Sequence, residues 1–517
     1  MIRLRLVLLF MAATCASGVA RAQVENSCAN LGHVRIDGVE ITKAAVIPAG
    51  TIVPPAYPGA PTTGPLTAHC RVDGVIKRRK GADGEEFGIG FALALPEAAA
   101  WNGDFMMQGG GGGNGVVAYP MGASYSGDKP ALVRGFAVAS TDTGHKAKTG
   151  PFDFSFMRDQ QAYLDFAFLA NAEVATVAKQ IIAQYYAKPA AYSYFVGCST
   201  GGREGMILSQ RYPTVFNGII SGDPAMRTGL SNLAIGKWIP VAYNQAAPRD
   251  ASGNPLLDRF LSEGERKLFM DALMNRCDAK DGVVDGMISD PMGCDFDPAV
   301  LACKSGQSGG CIAREKVAAI KKAFAGPKNS YGTQVYPGFP YDTGIAETAP
   351  FPGLLALGAI GLFGPYPTAT EIDVDKEALH ASDPLVEPAS TNMSTFSASG
   401  GKILFFHGDS DPWFSPLDTI GYYQSLAATN GGAEKVAEWS RMFLVPGMRH
   451  CGGGPALDQF DMLGAVVNWV EKGTAPESVI ATGQAFPGRS RPLCPYPKHA
   501  QYSGYGDTND AHNFSCQ

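Results

Sequence analysis

The sequence predicts an α/β fold built on a largely parallel sheet, and three observations predict it. Short runs of β-branched and aromatic residues alternate with amphipathic stretches toward both ends of the chain. A Gly-x-Ser-x-Gly tract, Gly197-Cys198-Ser199-Thr200-Gly201, stands between one such run and one such stretch. The alternation stops near residue 225 and resumes near residue 399. Strand and helix in turn is the rhythm of a parallel sheet covered by helices, and the gap reads as an insertion.

In chain order, Arg3 and Arg5, the apolar stretch Leu6–Ala13 and Ala20-Arg21-Ala22 read as a secretory signal peptide, residues 1–22, cleaved after Ala22. The expected location is therefore secreted or periplasmic. Ala12-Ala13-Thr14 is a poor lipidation context for Cys15. Beyond the leader, no run is expected to span a bilayer, which takes about 20 apolar residues; Pro352–Pro365 is apolar but short and broken by glycine and proline. Residues 23–75, rich in proline, threonine and valine, predict a β-rich start. Glu86–Leu95, Asp104–Gln108 and Gly135–Ser140 predict strands, and Gln160–Tyr186 predicts a long amphipathic helix. Ala191–Val196 predicts the strand entering the Gly-x-Ser-x-Gly tract, and Gly201–Arg211 the helix leaving it, stopped by Pro213. After Gly401 come a strand at Lys402–Phe406, a helix at Leu417–Asn430, a strand at Arg441–Val445 and a closing helix at Phe460–Gly473. A serine lifted on a tight strand-to-helix turn is the nucleophile elbow of an α/β-hydrolase core. The predicted plan is such a core, residues 23–224 and 399–517, with a loop-rich lid domain at 225–398 that carries four cysteines and the apolar Phe351–Phe363 segment.

Composition narrows the function. Removing residues 1–22 leaves 39 basic against 48 acidic residues, a net charge of −9, which argues against nucleic acid as a partner. Of the eleven cysteines, ten lie beyond the leader, an even number suited to disulfides in an oxidising compartment. Local spacings suggest Cys28 with Cys70, Cys277 with Cys294, Cys303 with Cys311 and Cys494 with Cys516, leaving Cys198 and Cys451 as the remaining pair; spacing alone does not fix connectivity. A zinc cluster would need paired C-x-x-C spacing, which is missing.

Acyl transfer by serine needs a base, a carboxylate to orient it and donors facing the oxyanion. His450 follows a predicted strand in Leu444-Val-Pro-Gly-Met-Arg-His450-Cys451, and its cysteine neighbour would set it beside Ser199 if bridged to Cys198. Two carboxylates follow the Lys402–Phe406 run, Asp409 and Asp411. Asp411 is the expected triad acid, and Asp409, at the strand-to-loop junction, the expected turn former. The glycine run between Gln108 and Asn114 lacks the G-K-[ST] of a phosphate loop and suits an oxyanion loop, with a second donor expected from the N–H of Thr200. Cys277-Asp278-Ala-Lys-Asp281-Gly-Val283-Val-Asp285-Gly-Met287 packs three carboxylates into one loop, suited to calcium though not in EF-hand register; plain acidic turns are the alternative.

With these tracts assembled, the chain resembles the tannase and feruloyl esterase family of α/β hydrolases, some of whose members act on terephthalate monoesters. The resemblance rests on Gly197-Cys198-Ser199-Thr-Gly-Gly-Arg-Glu-Gly205, Ser410-Asp411-Pro-Trp-Phe-Ser415, Val-Pro-Gly-Met-Arg-His450-Cys451 and Arg491-Pro-Leu-Cys-Pro-Tyr-Pro497, and it covers nearly the whole chain beyond the leader. It implies a triad of Ser199, Asp411 and His450 bridged by Cys198–Cys451, oxyanion donors at Gly112 and Thr200, and Phe414 lining an aromatic pocket. It implies a structural calcium held by Asp278, Asp281 and Asp285 with the Val283 and Met287 carbonyls, and no organic cofactor. The expected substrate is a small aromatic ester: feruloyl or other hydroxycinnamoyl esters first, galloyl esters second. The resemblance also implies a lid arginine where the substrate is a terephthalate monoester, and no arginine occurs between Arg314 and Arg441. A phenolic-binding protein without catalysis is the reading from another class.

Overall fold

The computed structural model describes residues 27–54, 64–342 and 367–517. The predicted signal peptide with Cys15, and the apolar Phe351–Phe363 segment, lie outside the described residues. The chain divides into two compact units, one running to Val196 with Val215–Asn217, the other comprising Gly197–Thr214 and Gly218–Gln517. Residues 225–398 thus group with 399–517 in the second unit.

The first unit is a mixed sheet of β1 (Val39–Ile47), β2 (His69–Lys80), β3 (Glu86–Pro96), β4 (Phe105–Gln108), β5 (Ala137–Thr141) and β6 (Ser193–Cys198), whose last two residues enter the second unit. The spatial order is β1-β2-β3-β5-β4-β6. From β1 to β5 neighbours are antiparallel, with Val72 opposite Leu93 and Leu93 opposite Ala139; β5, β4 and β6 are parallel. Strand β3 is buried along nearly its whole length, which its unbroken apolar sequence anticipates. The Cys28–Cys70 bridge ties the N-terminal turn to β2.

The predicted helix at Gln160–Tyr186 forms, with a π-turn at Asp165–Leu169. Asp159 caps it by accepting the Ala162 N–H at 2.9 Å, and Ala187 ends it in the left-handed region. By length and composition alone this helix is long enough to cross a membrane, but 61% of its apolar window is buried inside the protein. Val174, Val177, Ala178, Ile181 and Ile182 are packed inside, with β3 and β5 as neighbours, so alanines and β-branched residues facing a sheet make it apolar.

The second unit holds three parallel strands, β7 (Gly218–Gly222), β8 (Lys402–Gly408) and β9 (Ser440–Val445), with Ile219 opposite Ile403 and Leu404 opposite Arg441. The helices Thr200–Arg211, Pro416–Thr429 and Met462–Lys472 fall where the sequence places them. Ser415 and Asp461 cap the last two, and Gly473 closes the final helix in the left-handed region. Strand β7 was not predicted, because five residues flanked by glycines show no period. The stretch 225–398, expected to be mostly loop, carries a helix at Glu263–Cys277 with a capping box between Ser262 and Glu265, and another at Arg314–Phe324. Only Phe269, Leu273 and Cys277 of the first are buried, too few to stand out as an apolar stripe.

Candidate active site

Ser199 sits on the turn between β6 and the helix Thr200–Arg211 with φ 63° and ψ −124°, a conformation that costs a non-glycine residue about 1–3 kcal/mol. Hydrogen bonds hold it there: its N–H donates to the Gly222 carbonyl at 3.0 Å, and its carbonyl accepts from Arg203 N at 3.0 Å and Ala225 N at 3.1 Å. Gly197 is required because a Cβ there would overlap the Gly201 carbonyl oxygen. Thr200 is the first residue of the helix, where N–H groups point out of the helix end.

Asp411 follows β8 in a fully buried loop. One carboxylate oxygen accepts from the backbone N–H groups of Trp413 at 2.7 Å and Phe414 at 3.1 Å, and the other pairs with His450 Nδ1 at 2.7 Å. Burial alone would raise the Asp411 pKa; the charges and hydrogen bonds of His450 and His407 outweigh it and hold the carboxyl well below the usual range. The same pair raises the pKa of His450 against the opposing effect of burial. With Nδ1–H committed to the carboxylate, the Nε2 lone pair of neutral His450 is left to act as a base. The rings of Trp413 and Phe414 stack on each other and lie 5.4 and 5.3 Å from the imidazole. Phe414 therefore walls the histidine with an apolar face.

The Cys198–Cys451 bridge joins the residue before Ser199 to the residue after His450, with their Cα atoms 6.0 Å apart. Neighbouring Cα atoms are 3.8 Å apart, so those of Ser199 and His450 lie within about 14 Å of each other. Ser199, Asp411 and His450 all belong to the second unit. Gly112 belongs to the first unit, where it adopts φ 56° and where a Cβ would overlap the Pro151 carbonyl oxygen. Gly113 N–H donates to that same oxygen at 2.8 Å, so the glycine loop is pinned in shape.

Asp409 occupies the expected turn, in which Asp411 N–H donates to the Gly408 carbonyl at 3.1 Å, but its side chain does not brace it. It is 1% exposed, and neither carboxylate oxygen has a hydrogen-bond partner among the described residues. Burial, then the charge of Asp342, pushes its carboxyl well up. Two residues that no motif signalled surround the pair instead. Asp223, just past β7, accepts from Gly408 N at 2.7 Å and Cys451 N at 2.9 Å, and His407 Nε2 lies 3.4 Å from Asp411 Oδ2.

The family profile described as "Tannase and feruloyl esterase" matches residues 70–358 and 366–517. The chain belongs to the tannase and feruloyl esterase family. It is 35% identical to the mono(2-hydroxyethyl) terephthalate hydrolase of Piscinibacter sakaiensis, over 89% of this chain and 87% of that one. It is 30% identical to a probable feruloyl esterase of Arthroderma benhamiae, over 99% and 98%. Among solved structures, feruloyl esterase B from Aspergillus oryzae superposes with a TM-score of 0.76 at 25% identity, covering 96% of this chain and 100% of that one. Tannin acyl hydrolase from Aspergillus niger shares the fold, with a TM-score of 0.68 at 21% identity, covering 93% and 92%. This tannase and feruloyl esterase family member is thus a carboxylic ester hydrolase with the α/β-hydrolase fold and a large inserted lid.

The other three bridges of this family member, Cys277–Cys294, Cys303–Cys311 and Cys494–Cys516, are also in the second unit. The acidic loop lies beside the first of them. Asp278 accepts from Asp285 N and Gly286 N, both at 3.1 Å, and Asp281 from Val283 N at 3.1 Å and Ser289 Oγ at 2.6 Å. Asp285 accepts from Met287 N and is ion-paired with Arg491 and Arg489. Burial pushes the Asp281 carboxyl up, and the charges of Asp285 and Asp278 add to it. The Val283 and Met287 carbonyls accept no hydrogen bond from the described residues. Among the described residues the oxygens of Asp278, Asp281 and Asp285 do not all come within 4.8 Å of one another, and Asp285 is already paired with two arginines, so the donor types alone suit a divalent cation such as calcium.

Proposed function

We propose that this chain is a secreted or periplasmic serine esterase of aromatic carboxylic esters, acting on feruloyl or related hydroxycinnamoyl esters first and galloyl esters second. The observation that carries the reading is the Asp411-bound His450 at 2.7 Å, held by a disulfide to the elbow that presents Ser199. His450 takes the proton as the Ser199 hydroxyl attacks the ester carbonyl. The Thr200 N–H stabilises the tetrahedral oxyanion, and His450 returns the proton to the leaving alcohol. Water, activated by the same histidine, then releases the acid from the acyl-enzyme. Phe414 supplies an apolar face for the aromatic ring. Asp278, Asp281 and Asp285 with the Val283 and Met287 carbonyls would hold calcium, which would brace the loop.

The relative at 35% identity favours a second reading, a terephthalate monoester as substrate. The absence of arginine between Arg314 and Arg441 supports an uncharged ring over a free carboxylate. The test compares initial rates of the protein and its Ser199→Ala variant on methyl ferulate, methyl gallate and mono(2-hydroxyethyl) terephthalate. Serine-dependent turnover of the ferulate above the other two is expected. Preference for the terephthalate ester selects the second reading, and no turnover with tight binding of a phenolic ester points to a binding protein.

A further inference from the structure

The triad leaves two fully buried ionisable side chains without a role, Asp223 and His407. Asp223 connects three pieces of the site. Its residue follows Gly222, whose carbonyl receives the Ser199 N–H, and its own N–H donates to Phe406 O at 2.9 Å. One carboxylate oxygen takes the Gly408 N–H at the end of β8, and the other takes the Cys451 N–H, next to His450. It holds this place at φ 34°, outside the comfortable range of an aspartate.

His407 Nε2 lies 3.6 Å from Asp223 Oδ1 and 3.4 Å from Asp411 Oδ2. Each ring nitrogen also faces a neutral acceptor, Nε2 the Phe414 carbonyl at 2.9 Å and Nδ1 the Thr419 hydroxyl at 2.8 Å. An imidazolium, which must donate from both nitrogens, is fully satisfied here. Two carboxylates buried without a cation between them would repel each other and lose their hydration uncompensated. The other groups facing this cluster are acidic or committed. Asp418, on the helix Pro416–Thr429, is paired with Arg227; Asp409 feels the charges of Asp223 and of Asp342, and Asp342 is committed to the Ser410 hydroxyl and the Gly447 N–H. Burial opposes the charge on His407, but Asp223 and then Asp411 outweigh it and raise its pKa.

We propose that Asp223 and His407 form a second Asp–His couple that positions the triad. Asp223 fastens the histidine loop and the end of β8 to the serine elbow, and the His407 cation balances Asp411 and so sets the basicity of His450. The inference rests on the Ser199–Asp411–His450 reading. Both are positioning residues, since each acts through Asp411 and His450.

The pH dependence of kcat/KM for 4-nitrophenyl acetate, and of inactivation by a fluorophosphonate, tests it in His407→Gln and Asp223→Asn. Removing the cation makes His450 harder to deprotonate, so the acid limb moves up by about one pH unit in His407→Gln, roughly tenfold slower on the limb and nearer wild type above it. Removing the anion moves the limb down in Asp223→Asn. Rates lowered uniformly in both variants, with unmoved limbs, overturn the proposal. If His407→Gln does not fold, Thr419→Val removes only the acceptor at Nδ1; an upward shift supports the couple and an unmoved limb overturns it. Activity surviving Ser199→Ala, or labelling at another residue, overturns the triad reading itself and this inference with it.

Discussion

Asp411 and Asp142 are both buried carboxylates, and their neighbours send them in opposite directions. Two imidazoles keep Asp411 charged, as a triad acid must be. Asp142, after β5, is pushed up to about 7 by burial, against the N–H groups of Gly144 at 2.9 Å and Gly90 at 2.8 Å and the charge of Lys146. Its folded pKa is above the unfolded value of about 3.9, so the native state holds a proton that the unfolded chain has lost. Stability attached to this group is therefore full below about pH 4 and falls as the pH rises toward 7. Asp142→Asn keeps an acceptor for both N–H groups without the charge. It is expected to melt with the wild type near pH 4 and above it at pH 8, by on the order of a few kcal/mol of stability, read from thermal melts across that range. A variant that melts lower at pH 8 would mean the two N–H groups satisfy the carboxylate. The residues of the proposed triad were legible because each sits in a tract whose neighbours announce it: the glycines around Ser199, the strand before Asp411, the cysteine after His450. Asp223 and His407 have no such tract. Their importance comes from distances to residues far away in sequence, and the deep burial of the Asp409 side chain at its turn escaped the sequence for the same reason.

At the scale of elements, the strand-turn-helix from β6 through Thr200–Arg211 was readable because local chemistry dictates it. The pairing of that turn with the histidine loop depends on one covalent link across 253 residues. Cys198→Ala with Cys451→Ala is expected to lower kcat at least tenfold, by loosening the geometry between serine and base, while circular dichroism stays native because four other bridges remain. A normal kcat in the double variant would show that hydrogen bonds such as that from Cys451 N to Asp223 suffice. Elements with weak local signals escaped: β7 is too short to show a period, and the helix Glu263–Cys277 announces itself through its Ser262–Glu265 cap rather than its apolar face.

For the whole molecule, the acidic loop ties lid residues to the C-terminal segment through Asp285 with Arg489 and Arg491. If it holds calcium, chelation removes a ligand that binds only the folded state, and the melting temperature falls with EDTA and returns on adding calcium. An unchanged melt after thorough metal removal would assign the loop to turn formation alone. By itself the sequence determined the α/β alternation, the serine elbow and the class of chemistry, because each is written in neighbouring residues, and the even number of cysteines beyond the leader. Only the tertiary structure decided which cysteines are bridged, that a second buried Asp–His pair stands behind His450, and that most of the long apolar helix is buried. Those depend on burial and on contacts between distant segments, which local periodicity does not encode.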